Sequence, residues 1–221
     1  MTVFVTALLT VFMGFTVSVS NGFKPFDCSD VYKSGQTVSG IYSIYPAGDV
    51  PVWVYCEMVS DGKVEDKGQW TVIQRRMDGS VNFYQPWNQY KRGFGNVEGE
   101  YWLGLENMYQ LTRNRTSLEG KVLLCTRSSL WVQKLAGDSM SFNDGMKFTT
   151  LDKDQDLFGK NCAKLFLGAF WYKDCHYANP NGVYLWGEDP TIFAIGNVWY
   201  TWKNSHAVGM KFISMKIKPA P

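Results

Sequence analysis

Three carboxylates alternate at Asp152, Asp154 and Asp156. Carboxylates that close repel one another unless water separates them or a cation bridges them, and hard oxygen donors suit calcium. The spacing is not that of an EF-hand. Its sixth position would be Leu157, where that loop turns on glycine, and its twelfth Ala163, where a glutamate is needed. Taken alone, the pattern favours a solvated acidic turn over a cation site. Only two histidines are present, His176 and His206. GxSxG, HExxH and glycine-rich phosphate loops are all missing. Cys175 beside His176 would make a thiol nucleophile only if that sulfur were free. The chain therefore reads as a binding protein and not an enzyme, with no catalytic residues to nominate.

The chain must supply the scaffold for such a site from 221 residues, 45% of them hydrophobic and 16% aromatic, with a net charge of +2. That balance leaves no basic face for nucleic acid. Residues 1–20 carry no charge, and an apolar run precedes Ser18 and Ser20, which predicts a signal peptide cleaved after Ser20. A short leader, 21–26, would follow. Thr6, Thr10, Gly14 and Thr16 make the segment a poor membrane span, and no other stretch is long enough to cross a bilayer. The expected location is extracellular. In that compartment the default for five cysteines is disulfides with one thiol left over. Spacing favours the two short loops, Cys28 with Cys56 and Cys162 with Cys175, leaving Cys125 odd; other connectivities stay open. No CxxC is present to hold zinc. Asn114-Arg115-Thr116 is a glycosylation sequon.

The elements read as α+β. Ser29 to Gly35 predicts a short capped helix. Gly40 to Pro46, Val50 to Met58 and Trp70 to Arg76 predict strands, with Val52, Val54 and Cys56 on one face. Asp78-Gly79 predicts a hairpin turn, with Val81 to Phe83 starting the return strand. Trp87 to Arg92 and Tyr101 to Leu111 predict helices. From Gly137 onward, short segments alternate with Gly, Asn, Asp and Pro. Loops that long are usually functional or held by a ligand.

Several blocks coincide: Asp27-Cys28-Ser29-Asp30-Val31-Tyr32, Val54-Tyr55-Cys56-Glu57-Met58, Gly68-Gln69-Trp70-Thr71-Val72-Ile73-Gln74-Arg75-Arg76, Gly99-Glu100-Tyr101-Trp102-Leu103-Gly104-Leu105 and Asn181-Gly182-Val183-Tyr184. Together they resemble the fibrinogen C-terminal-like domain, over residues 27–221. The resemblance implies a central mixed or antiparallel sheet, short helices and a loop-rich, calcium-binding C-terminal subdomain. It also implies the pairs Cys28–Cys56 and Cys162–Cys175. The segment 121–137 departs from the family pattern. It is shorter by something on the order of twenty to thirty residues, several strands' worth, which predicts a shortened central sheet with exposed strand edges.

By the same resemblance, Asp154 and Asp156 would give carboxylates to Ca2+, and Phe158 and Lys160 backbone carbonyls. A pocket for acetyl groups would lie beside the loop, near a cis peptide at Asp174-Cys175. His176 would orient the acetyl oxygen, and Phe166, Tyr184, Phe193 and Ala194 would form walls. Phe166 and Phe193 stand where sugar-binding members carry tyrosine, and Asn204-Ser205-His206-Ala207 replaces a glycine-aromatic run. Lost hydroxyl donors weaken directional recognition. The resemblance points first to elastic-fibre components and collagen of the extracellular matrix as partners, and second to acetylated glycans. Neither a coiled-coil arm nor a collagen repeat precedes Cys28, so a homo-oligomer would have to come from the domain itself or from Cys125.

Overall fold

The computed structural model describes residues 22–58, 69–113, 118–126, 129–130 and 137–219. The signal segment and Asn114 lie outside them.

Helix α1, Cys28–Lys33, begins where the Asp27 carboxylate accepts the Ser29 and Asp30 amides, satisfying two donors that have no partner inside the helix. Strands β1 (Gly40–Ile44), β2 (Val52–Glu57) and β3 (Trp70–Arg76) follow. In β2, Val54 and Cys56 are buried and Trp53 is exposed, the alternation expected of a half-buried strand. β3 is buried along its whole length, because it lies inside the sheet. After helix α2 (Trp87–Arg92) come two-residue strands β4 (Phe94–Gly95) and β5 (Tyr101–Trp102), and helix α3 (Leu105–Thr112). β6 (Leu118–Thr126) and β7 (Ser129–Leu130) precede the loop-rich half. That half holds helix α4 (Cys162–Leu165), a two-stranded ribbon β8–β9 (Gly187–Glu188, Val208–Gly209), and β10 (Phe212–Pro219). The main sheet runs β1-β2-β3-β10-β6-β7, all antiparallel, with β5 pairing the end of β3 and β4 pairing β5.

Two expectations change. Residues 81–83 are not a return strand. The Glu100 carboxylate accepts the amides of Met77, Asp78, Gly79 and Val81 at 2.7–3.1 Å, so the chain wraps a buried anion. Arg76 lies 3.7 Å from that carboxylate. Nor is Tyr101 to Leu111 one helix: Gly104 adopts φ 99°, a conformation that suits glycine, and separates β5 from α3. The exposed edge expected of a shortened sheet falls on β6, which pairs β10 from Leu118 to Cys125 on one side and, among the described residues, meets β7 only at Cys125 and Thr126 on the other. The last strand on that side is the two-residue β7.

Both favoured disulfides are present, Cys28–Cys56 and Cys162–Cys175. The core between the sheet and the helices is aromatic. Tyr90, Trp102 and Phe148 pack with centroids 5.1–5.6 Å apart. Among the described residues no helix is long and apolar enough to cross a membrane.

Candidate functional site

The acidic loop divides by role. Asp152 is a strut: its Oδ1 accepts the Trp87 amide at 2.7 Å and the Thr150 hydroxyl at 2.8 Å. Pro86 has no acceptor on its ring to cap α2, so Asp152 supplies one from 65 residues away. Lys153 then places its ammonium 3.5 Å over the Trp87 ring. Asp154 and Asp156 remain as the carboxylate pair. Asp156 is half-buried, and its oxygens accept the amides of Phe158 at 3.1 Å and Cys162 at 3.0 Å. Burial, and then the Asp154 charge, push its carboxyl above the ordinary range. Each carboxylate oxygen that accepts one amide keeps acceptor capacity for another donor or a cation. No backbone hydrogen bond among the described residues ends on the Phe158 or Lys160 carbonyl oxygen. Two carboxylates and two main-chain carbonyls are the hard oxygen donors that a calcium ion would take, with water completing the shell. Among the described residues no group of three or more His, Cys, Asp or Glu side chains could hold a metal, so the remaining oxygens would have to come from the main chain and solvent.

The loop is stitched to the second half of the site. The Leu157 amide donates to the Lys173 carbonyl at 2.8 Å. The Cys162–Cys175 bridge closes a 13-residue separation, with His176 next in the chain. The expected cis peptide is not formed: there is none among the described residues, and Cys175 instead turns through φ 61°. The turn is held because Asn143 Nδ2 donates to the Cys175 carbonyl at 3.2 Å and Lys173 donates its amide to the same oxygen at 3.1 Å. Asp174 is exposed at the surface.

His176 is 6% exposed. Phe166, Tyr172 and His206 surround it at centroid distances of 4.8, 5.6 and 5.6 Å. Neither ring nitrogen makes a hydrogen bond of good geometry, and the nearest polar help comes from the Ala194 backbone. Burial, reinforced by His206 and only partly offset by the Ala194 backbone, lowers its pKa to about 3, so the imidazole is neutral. Ala194 is buried, and Phe193 is 64% exposed with its ring 5.4 Å from His206. Phe166, Cys175, His176, Phe193 and Ala194 thus gather in one place, but Tyr184 does not. Its hydroxyl lies 2.7 Å from both the Met77 and Lys211 carbonyl oxygens, and its ring covers Gly79. The Arg76 guanidinium lies 5.8 Å from its ring centroid, within reach of a cation–π contact.

Two participants escape sequence reasoning. His206 packs on His176, Phe193 and Tyr200, in the run that replaces the family's glycine-aromatic segment. Asn179 is fully buried. Its Nδ2 lies 3.1–3.4 Å from the carbonyls of Phe166, Ala194 and Gly196, and its Oδ1 accepts the Tyr172 hydroxyl at 2.5 Å. One amide therefore sets the walls on both sides of His176. Gly168 permits this, since a Cβ there would sit 2.5 Å from Asn179 Oδ1. The Asn-Pro-Asn-Gly run of 179–182 was the available signal, but it reads first as a turn.

The family model for the C-terminal globular domain of the fibrinogen beta and gamma chains matches residues 24–125 and 120–220. Human microfibril-associated glycoprotein 4 is 42% identical over 226 residues, covering 89% of this chain and 86% of that protein. Fibrinogen C domain-containing protein 1-A of Xenopus laevis is 39% identical, over 90% of this chain and 48% of its own length. The fibrinogen-like globe domain of human ANGPTL2 superposes with a TM-score of 0.80 at 35% identity, covering 89% of this chain and all of that one. On the sheet order, the two disulfides and these matches, the protein belongs to the fibrinogen C-terminal globular domain family.

Proposed function

We propose that this chain is a secreted, calcium-dependent binding protein, and not an enzyme, that associates with elastic-fibre components and collagen of the extracellular matrix. One observation carries the proposal. Asp156 accepts the Cys162 amide, and Cys162 is bonded to Cys175, which His176 follows, so the carboxylate pair and the hollow at His176 are tied to the two ends of one disulfide. A bound calcium ion supplies positive charge that relieves repulsion between Asp154 and Asp156. The protein's own residues do the rest: Phe158 and Lys160 offer carbonyls, and the Leu157–Lys173 hydrogen bond transmits the loop's position to the hollow. Two disulfides suit an oxidising compartment. The name of the human relative associates that protein with microfibrils.

A second reading, recognition of acetylated glycans, is favoured by the neutral His176 ring beside Phe166. An imidazole N–H there could donate to an acetyl oxygen, while the methyl packs against phenyl rings. Both readings meet in one experiment. Calorimetry on the secreted protein should show calcium uptake, and D154A and D156A should each abolish it. Binding to immobilised tropoelastin, fibrillin or collagen should then require calcium and be lost with chelator. Retention on N-acetylated sugar resin, reversed by free acetate, would instead select the glycan reading. Unchanged calcium uptake in both variants would sink the shared premise.

A further inference from the structure

We infer that His206 gates the hollow at His176: its imidazole covers that ring and must swing out before a ligand can reach it. The inference rests on the glycan reading of the hollow and concerns which residue controls entry.

The hollow is closed as it stands. Both ring nitrogens of His176 are buried, and the walls beside it are shut as well, with Cys175 8% exposed and Ala194 2%. An acetyl oxygen cannot meet the imidazole until something moves. Three rings pack on His176: Phe166, Tyr172 and His206. Tyr172 is pinned, being fully buried with its hydroxyl bonded to Asn179 Oδ1. Phe166 ends α4, its amide donating to the Cys162 carbonyl and its own carbonyl accepting from Asn179 Nδ2. Its ring packs against the core.

His206 is held differently. It is half-buried, and its Nδ1 has no hydrogen-bond partner, so ring contacts keep the side chain in place. Those contacts lead outward. Tyr200 lies at 4.7 Å, Phe193 at 5.4 Å and Tyr177 at 6.0 Å between centroids, and Phe193 is 64% and Tyr177 41% exposed. The main chain there is fixed: the Ala194 amide donates to the His206 carbonyl at 3.0 Å, and the Ser205 amide to that of Tyr200 at 3.2 Å. The imidazole can therefore leave toward water by rotating about its own side-chain bonds. Ring contacts favour the closed position, and a site competent only part of the time binds with an affinity reduced by that fraction.

Two measurements test the gate, and one needs no ligand. Diethylpyrocarbonate acylates accessible neutral imidazoles, and the chain has only two, His176 and His206. In the wild-type protein His206 should react and His176 should be protected, as mapped by peptide mass. In His206→Ala, His176 should react at least about tenfold faster than in the wild type, while His206→Phe, which returns a ring, should keep it protected. Affinity for N-acetylglucosamine, measured by calorimetry with calcium present, should rise at least about tenfold in His206→Ala and not in His206→Phe. Equal reactivity of the two histidines in the wild type would overturn the gate. So would a His176 that stays protected in His206→Ala while that variant unfolds cooperatively. Exposure of His176 without sugar binding would uphold the gate and overturn the glycan reading; equal sugar affinity in wild type and His206→Ala would do the reverse.

Discussion

His176 sits almost out of reach of water, 6% exposed. An unfolded polypeptide takes up a proton on histidine near pH 6.5, whereas this imidazole refuses one until about pH 3. Between those values the unfolded state binds more protons, so stability rises with pH and is lost as pH falls. The effect is at most about 1.4 kcal/mol per pH unit. His206, also lowered by burial, faces the same ring and contributes in the same direction; Tyr172, the other titratable neighbour, stays neutral throughout this window because burial raises it. Urea midpoints measured from about pH 7 down to about pH 4 should therefore fall, and fall less steeply in His176→Phe. Parallel profiles for the two proteins would show that the imidazole is not the cause.

At the scale of elements, the important feature is how short pieces are stabilised from a distance. α2 has six residues and begins at a proline that offers no cap; helices of this length do not persist alone. Asp152 caps it from the acidic loop, and Lys153 stacks on its first residue. Asp152→Ala should cost about 0.5–2 kcal/mol, the usual loss for a helix cap, in chemical denaturation. Calcium stoichiometry should stay the same, since Asp154 and Asp156 remain. Loss of calcium uptake in that variant would instead make Asp152 a ligand. The same logic explains residues 77–81: Asp-Gly matches a hairpin turn, but four amides converge on Glu100, and the buried carboxylate decides the path.

Across the whole molecule, the loop-rich half has few ladders and relies on buried amides. Gln74 of β3 donates to the Pro180 carbonyl and to Asn181 Oδ1, and Arg76 donates to the carbonyls of Pro180 and Gly182. Asn181 donates to the Ala169 carbonyl, and Asn197 to that of Met210. Asn179 completes the set around the hollow. These contacts join the C-terminal loops to the sheet as a single cooperative unit. Asn179→Ala should lower unfolding free energy by about 2–5 kcal/mol, since several buried carbonyls and a tyrosine hydroxyl lose their partner together. One transition should still be seen by both far- and near-ultraviolet circular dichroism. Separate transitions would show that the loops fold apart from the sheet.

The order of residues was enough to establish the class of fold, the strands β1 to β3, α2 and the clustering of acids near an aromatic stretch, and to favour the two cysteine pairs that form. Those features are local: period-two burial, short loops between cysteines and repeated carboxylates are written in neighbouring residues. Long-range packing settled which of the three carboxylates caps a helix. It also placed Tyr184 against Arg76 instead of His176, turned Cys175 through a positive φ instead of a cis bond, and set Asn143 against the Cys175 carbonyl. Each of these outcomes depends on a partner tens of residues away, so no window along the sequence contains both halves of the interaction.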